Sequence, residues 1–499
     1  MKNPIRVGPL LGYETSDLYT VCILLDAGAP PPVLHVPSLA LLQAFKKIAD
    51  VGSQEFWRAE FPFPPPDAGV TVRYEIQADG VALADPYDRV GWQFYVPGKT
   101  EEPLLAYASC NGFSSFKLLR DTDQPYRLWE KLKEQHEAAP FALLLMGGDQ
   151  VYADEIWESK RCPSLRDWSE LNWDQQNKAK ATVKMKQEIA AFYDWLYTDR
   201  WSDENMSLVL ASIPSLMMWD DHDIFDGWGS YPQERHDSEV FQEAFRQAAR
   251  LYDLFQQRGS TTNRLKADAN HRSFGLRFRN YTILALDNRS ERTIERIMSN
   301  EHWQDVKDWL AQQSTQGNAN LLVLTGVPAV YRSFAAVEAA MDTTPWHEEL
   351  EDDVHDHWSS RTHLAERMRL VMVLLNFLEL PSQAKCKAIL LSGDVHVGAL
   401  GQIWNAHKRI GLTQLISSGI VHPPPSAFAW AGIQMMTSDT PEGLGDGEVT
   451  TEMLTPFGSP RYLRTRNYLT LKSGTDQKLW VNWVCENEKL KPTFAIASS

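Results

Sequence analysis

The apolar residues of this chain come in two rhythms, and the change between them falls near residue 100. Before it, short runs at 18–25, 70–76 and 93–96 are broken by Pro- and Gly-rich stretches at 27–32 and 61–69. Runs of that length, rich in β-branched and aromatic residues and bounded by turn formers, predict strands. One amphipathic segment, roughly 38–49, interrupts them. Residues 1–100, ending at Pro97-Gly98-Lys99, are expected to form a small β-sandwich-like domain. Nothing in it reads as catalytic, which leaves packing or framing of a substrate.

From residue 101 to 499 the pattern becomes strand, loop and helix in alternation, the mark of layered α/β architecture with loop and helical insertions. A helix is predicted over 237–258, with Phe241, Ala244, Phe245, Ala248, Tyr252 and Phe255 on one stripe and a stop at Gly259. Another is predicted over 362–380, stopped by Pro381. Strands return at 468–471, 479–485 and 493–497. Two stretches predict loops. One, 341–358, holds seven acids, three histidines (His347, His355, His357) and no Lys or Arg; the other, 427–459, is rich in Gly, Thr and Met.

The chemistry sits where apolar strands end. Leu104–Ala108 leads into Ser109-Cys110-Asn111, and Leu143–Met146 into Gly147-Gly148-Asp149-Gln150-Val151-Tyr152. Leu216–Trp219 leads into Asp220-Asp221-His222-Asp223, Ile283–Leu286 into Asp287-Asn288-Arg289, and Ile389–Leu391 into Ser392-Gly393-Asp394-Val395-His396. Ligands of open α/β sheets bind beyond the carboxyl ends of the strands, so five such ends define a candidate site. A single Asp after a strand is often only a turn residue or a helix cap. Three carboxylates beside one imidazole at 220–223, however, repel one another unless a cation compensates. Two glycines before Asp149 allow a sharp backbone turn. One helical turn would aim Asp149 and Tyr152 at the same point, and strand alternation would put Asp394 and His396 on one face.

Composition narrows what such a site can do. Of 499 residues 43% are hydrophobic, ample for a large core, while 49 Lys+Arg against 65 Asp+Glu give a net charge of −16. So acidic a chain is no general nucleic-acid binder, and it repels phosphorylated ligands unless local cations intervene. The N-terminus shows no apolar signal segment, and no run approaches the length of a transmembrane helix. Five scattered cysteines argue against a disulfide framework, so a cytoplasmic protein with reduced thiols is expected. Carboxylates suit hard Ca²⁺ or Mg²⁺, whereas Cys110, Tyr152 and imidazole suit iron or zinc. Two bridged metals suit phosphoester hydrolysis. Neither a Gly-x-Ser-x-Gly elbow nor a base beside Cys110 supports a serine or cysteine hydrolase.

The motifs Ala108-Ser109-Cys110-Asn111, Gly148-Asp149-x-x-Tyr152-x-Asp154, Trp219-Asp220-Asp221-His222-Asp223, Leu286-Asp287-x-Arg289-x-x-Arg292 and Ser392-Gly393-Asp394-Val395-His396 resemble those of the PhoD-like alkaline phosphatases, within the calcineurin-like metallophosphoesterases. The resemblance covers about residues 101–420 with order and spacing intact. It implies a four-layer αββα sandwich behind an N-terminal β-sandwich, a small phosphoester as substrate and an iron plus calcium centre, with zinc, manganese or magnesium as alternatives. It implies that Asp149 bridges the metals. Cys110, Tyr152 and His396 would bind iron, Asp221 and Asp394 would complete the ligands, and His222 would protonate the leaving group. Arg289, or Arg292, would contact the substrate phosphate or else pair with a neighbouring acid. Asp223 stands where the family usually has Glu. Asp356-His357-Trp358 resembles a rim element of the family. A non-catalytic scaffold on the same fold is the alternative, which retention of Asp149, Asp221, His222, Asp394 and His396 opposes.

Overall fold

A computed structural model describes residues 4–315, 317–332, 358, 362–405, 407, 410–417, 419–445 and 447–498. Its centre is built from apolar runs whose alternate residues enter different cores. In the strand Asn320–Gly326, Leu322 and Leu324 face the core between two large sheets, while Leu321 and Val323 face an outer core. In Lys387–Ser392, Ile389 and Leu391 point inward and Ala388 and Leu390 outward. A strand buried on both faces reads as a continuous apolar run, which is why these segments carried no visible alternation.

The ten-stranded sheet has the order Thr493–Ile496, Leu479–Cys485, Asn467–Ser473, Leu105–Ala108, Leu143–Gly147, Ser215–Met218, Ile5–Glu14, Leu18–Asp26, Gln54–Pro62 and Lys46–Val51. Its middle strands Leu105–Ala108, Leu143–Gly147 and Ser215–Met218 are parallel. Facing it, a second sheet contains the parallel strands Tyr281–Ala285, Asn320–Gly326, Lys387–Ser392 and Gly411–Ile416. Helices Asn300–Ser314 and Leu364–Leu378 bury Trp303, Val306, Leu310, Leu370, Val371 and Leu374 against the outer face of that sheet. On the other side, Val183–Arg200, Glu204–Ser212 and Glu239–Leu251 pack beside the first sheet. Helix, sheet, sheet, helix is the αββα order expected.

Several local expectations resolve differently. The ten-stranded sheet runs across residue 100: Ile5–Glu14 pairs in parallel with Ser215–Met218 through Gly12 and Ser215. A smaller five-stranded sheet, which includes Val33–Val36, Val70–Ala78 and Trp92–Val96, belongs to the first hundred residues alone. The amphipathic stretch 38–49 makes the strands Leu41–Ala44 and Lys46–Val51 after a left-handed turn at Ala40, φ 48°. Pairing with Val33–Val36 and Gln54–Pro62 outweighs a short helical pattern. The predicted helix 237–258 is α-helical over Glu239–Leu251 and continues as a π-helical turn over Tyr252–Gln256. The predicted loop 427–459 contains the helix Ala427–Met436 and the strand Val449–Leu454. Of the acidic stretch 341–358, only Trp358 is among the described residues, buried in the outer core; His347, His355, Asp356 and His357 lie outside them.

Leu324 is fully buried between the sheets, whereas Leu42 is 66% exposed at a sheet edge. Leu324→Ala should therefore cost about 2–5 kcal/mol in urea unfolding, and Leu42→Ala no more than about 0.5 kcal/mol.

Candidate metal centre

Both sheets aim their parallel strands at one rim. Cys110, Asp149 and the 220–223 cluster follow three neighbouring strands of the first sheet, Asp287–Arg289 and Asp394–His396 follow strands of the second, and Gly326 ends the strand between those two. Backbone hydrogen bonds stitch these loops together. Cys110 N donates to Gly148 O at 3.2 Å, Gly148 N to Met218 O at 2.9 Å, and Gly393 N to Gly326 O at 2.8 Å. His422 N donates to Cys110 O at 3.1 Å, tying the loop after Gly411–Ile416 to the loop of the opposite sheet.

Four predicted ligands stand on left-handed backbone: Cys110 at φ 50°, Asp149 at 54°, Asp394 at 65° and His396 at 52°. Such residues each cost on the order of 1–3 kcal/mol and persist where surrounding structure holds them, most often at functional sites. This corrects two expectations. Asp149 and Tyr152 converge without a helical turn, and Asp394 and His396 lie beyond the strand end at Ser392. Positive φ values, not strand alternation, turn them inward. Gly326, at φ 59°, passes so close to Asp220 that a Cβ there would lie 2.7 Å from its Oδ2.

Three groups of potential ligand atoms result, each with all atoms within 4.8 Å of one another: Cys110, Asp149 and His396; Asp149, Asp221 and His222; Asp220, Asp221 and Asp394. Asp149 belongs to the first two and Asp221 to the last two, so the groups form a chain. Tyr152 Oη lies 3.4 Å from Asp149 Oδ2 and 3.2 Å from His396 Nε2. The expected site residues Cys110, Asp149, Tyr152, Asp221, His222, Asp394 and His396 thus meet in space.

Electrostatics show what the cluster lacks. Burial pushes the Asp149 carboxyl far above the usual range, with Asp220, Asp221 and Asp223 adding to the shift and His222 opposing it. Its Oδ1 is buried and has no hydrogen-bond partner. Burial, reinforced by Asp149, likewise raises the Cys110 thiol, and burial with Cys110 and Asp149 raises the Tyr152 hydroxyl. His396 is pushed well down by burial and by His422 and His222. The anionic forms of Asp149, Cys110 and Tyr152 are therefore disfavoured by the protein alone. Soft and hard donors around an orphaned carboxylate oxygen fit metal cations, which supply the missing charge.

His222 is held differently. Its Nδ1 lies 2.9 Å from both carboxylate oxygens of Asp154, which also accepts from Asp226 N at 2.8 Å. Burial works against an imidazolium here, but Asp154 and Asp221 outweigh it and raise the pKa. The ring stacks on Tyr152 with centroids 4.3 Å apart. Asp223 accepts from Asp220 N at 2.9 Å, Gln150 N at 3.1 Å and Gln256 Nε2 at 2.7 Å, clamping the Asp149 loop to the 220–223 turn. Burial, partly offset by those bonds, pushes it up to about 7.

Arg289 pairs with neighbouring acids. It is fully buried, pairs through Nε with Asp220 and places Nη2 3.3 Å from Asp221 Oδ1, so it faces the acidic pair instead of solvent. Asp287 anchors it, accepting from Arg289 N at 3.1 Å and from Trp219 Nε1 at 2.8 Å. Arg292 is also buried. Phe225 and Trp228 are buried, and with Trp157 and Tyr231 they belong to an aromatic cluster around Phe241 and Phe245. Phe225 and Trp228 pack in the core, with Trp157 and Tyr231 half-buried against it.

His422 escaped the sequence reading. It stacks on His396 at 3.7 Å and on Tyr152 at 5.4 Å. The signal was available: one more apolar strand, Gly411–Ile416, runs towards it. Its distance past the strand end hid the pattern.

The profile of the PhoD-related phosphatases matches residues 90–348 of this chain. An uncharacterized protein of Saccharomyces cerevisiae, YGR266W, is 27% identical over 408 residues, which cover 70% of this chain and 56% of the relative. The chain thus spans little more than half the length of that relative. Among solved structures, PhoD superposes with a TM-score of 0.62 at 13% identity, covering 99% of this chain and 89% of its own. The purple acid phosphatase PPD1 of yellow lupin superposes with a TM-score of 0.55 at 12% identity, covering 99% and 74%. At these identities the likeness shows a shared fold, the metallophosphoesterase-like sandwich expected from the motifs.

A Cβ on Gly112 would lie 2.4 Å from Tyr152 Cδ2. Gly112→Ala should displace that ring, destabilise the fold by about 1–3 kcal/mol and lower the metal content of purified protein, both measurable by urea unfolding and elemental mass spectrometry.

Proposed function

The chain belongs to the family of PhoD-related phosphatases, and on that premise we propose that it hydrolyses phosphoesters with metal ions held by its buried acid, thiol and imidazole cluster. The observation that carries the reading is Asp149, a buried carboxylate with an unpartnered oxygen, shared between two groups of ligand atoms.

Cys110, Asp149, Tyr152 and His396 would hold one ion, and iron suits that thiol and phenol set. Asp149, Asp221 and Asp394 would hold the other, and calcium suits carboxylates; zinc, manganese or magnesium are the alternatives. When bound, such ions supply Lewis acidity towards a phosphoryl oxygen and acidify water. The protein does the rest. Asp149 keeps the two ligand groups in register, and Asp223 fixes the loops that carry them. Arg289 offsets part of the charge of Asp220 and Asp221 and so acts as a positioning residue, not a substrate contact. His222 delivers the proton to the leaving oxygen through Nε2, because Asp154 occupies Nδ1 and fixes the ring.

Asp149→Asn should abolish hydrolysis of p-nitrophenyl phosphate and bis(p-nitrophenyl) phosphate and deplete bound metal; near wild-type turnover would overturn the assignment. His222→Ala should lower kcat by about 10²–10⁴ while metal stays bound. Asp154→Asn should lower kcat in the same direction by a smaller factor, since the imidazole remains but loses its orientation. A loss for His222→Ala below about tenfold would remove the proton-donor role.

A further inference from the structure

One cluster of imidazole, hydroxyl and carboxylate groups stands outside the candidate centre. It lies where the helix Asn300–Ser314 meets the start of the strand Phe274–Phe278. Ser273 and His302 are fully buried there. Ser273 Oγ lies 2.6 Å from His302 Nε2, and His302 Nδ1 lies 3.3 Å from Glu291 Oε2. His271 stacks face to face on His302, with centroids 3.7 Å apart and planes 8° from parallel. Its Nδ1 accepts from Ser273 N at 3.3 Å, and its Nε2 faces Asp305 Oδ2 at 3.1 Å.

The direction of each bond follows from what its partners can offer. Asp287 N can only donate, and it donates to Ser273 Oγ at 2.7 Å. Glu291 accepts from Ser299 N at 3.0 Å, at the N-terminus of the helix. Burial works against its carboxylate, but His302 and Ser299 hold the carboxyl down at about 2. Glu291 is therefore an acceptor, so the imidazole proton belongs on Nδ1, and Nε2 is left to accept from the Ser273 hydroxyl. Serine, histidine and acid in this order make the triad of a nucleophilic hydrolase. Here the serine is closed in, and its oxygen is already engaged by the backbone of the turn that carries Arg289.

That turn is where the cluster acts. Asp287, whose N–H Ser273 holds, accepts through Oδ1 from Arg289 N at 3.1 Å, Ser290 N at 3.0 Å and Trp219 Nε1 at 2.8 Å, and through Oδ2 from Arg272 N at 2.7 Å. Arg289 in turn pairs with Asp220 and Asp221. We propose that Ser273, His302 and Glu291 are positioning residues for the metal centre: they fix the 287–290 turn and so hold Arg289 against the acid pair Asp220 and Asp221. His302, Ser273, Asp287, Arg289 and Asp220 are all buried, so a broken link is not replaced by water and leaves a polar group without a partner. The relay stands on its own geometry; its effect on turnover rests on the hydrolase reading.

The test is amide hydrogen exchange, read by mass spectrometry on peptides covering 219–223 and 286–290, with turnover of p-nitrophenyl phosphate measured alongside. His302→Leu, which removes both ring nitrogens, should speed exchange in both peptides by at least about tenfold and lower kcat by about tenfold. Ser273→Ala should do the same. Ser273→Thr keeps the hydroxyl and His302→Gln keeps an acceptor for it, and both should return to within about threefold of wild type. Leu310→Ala, a core truncation in the same helix, should lower Tm at least as much and leave both peptides and turnover unchanged. The proposal is overturned if His302→Leu exchanges like wild type at 219–223, if Leu310→Ala speeds exchange there as much, or if neither conservative variant restores protection. Should wild-type protein hydrolyse no phosphoester, the hydrolase reading falls, while exchange at 219–223 still decides the relay.

Discussion

Four carboxylates, those of Asp149, Asp220, Asp221 and Asp394, are brought together at the meeting of two sheets, the first three buried and Asp394 half-buried. Like charges so placed repel strongly, and burial penalises the ionised form of Asp149. The rest of the site is arranged around that repulsion. Arg289 is fully buried against Asp220 and Asp221, Asp287 is devoted to holding the arginine backbone and the Trp219 ring, and Asp223 is consumed by backbone donors. These contacts account for part of the charge. Asp149 Oδ1 is left over, and a metal ion between the remaining donors is the simplest way to satisfy it.

Backbone strain belongs to the same account. Cys110, Asp149, Asp394 and His396 all adopt left-handed conformations that ordinary side chains avoid. Backbone hydrogen bonds from Cys110 to Gly148, from Gly148 to Met218 and from Gly393 to Gly326 hold these loops in place. Small residues then let side chains come close: Gly326 makes room for Asp220, and Gly112 for the Tyr152 ring. A stable frame of parallel strands carries a strained rim, so the large buried core that stabilises the fold also sustains the geometry of the site.

Folding also gives His222 and His396 opposite characters. Asp154 and Asp221 favour a charged His222, whereas burial, with the His422 ring stacked on it and His222 nearby, pushes the His396 pKa well down. A neutral imidazole can ligate a cation and a charged one can deliver a proton, so the two environments suit the different roles proposed for these histidines.

By itself the sequence determined the layered architecture and which side chains gather at the candidate site. Apolar strands running straight into acidic, thiol and imidazole residues are a local pattern, and the requirement that several strand ends share one rim follows from sheet geometry. Tertiary structure alone decided what depends on contacts between distant segments. Nothing local in the sequence pairs Arg289 with Asp220 and Asp221; the approach of the 220–223 turn does. His422 entered the site because a backbone bond to Cys110 draws its loop across from the opposite sheet. The strands at 41–51 formed because partners were available at the sheet edge, and the helix at 427–436 kept Phe428 and Met435 in solvent because its other face was already packed on Tyr462. Local periodicity encodes which face of an element is apolar; it carries no information about what lies across from that face.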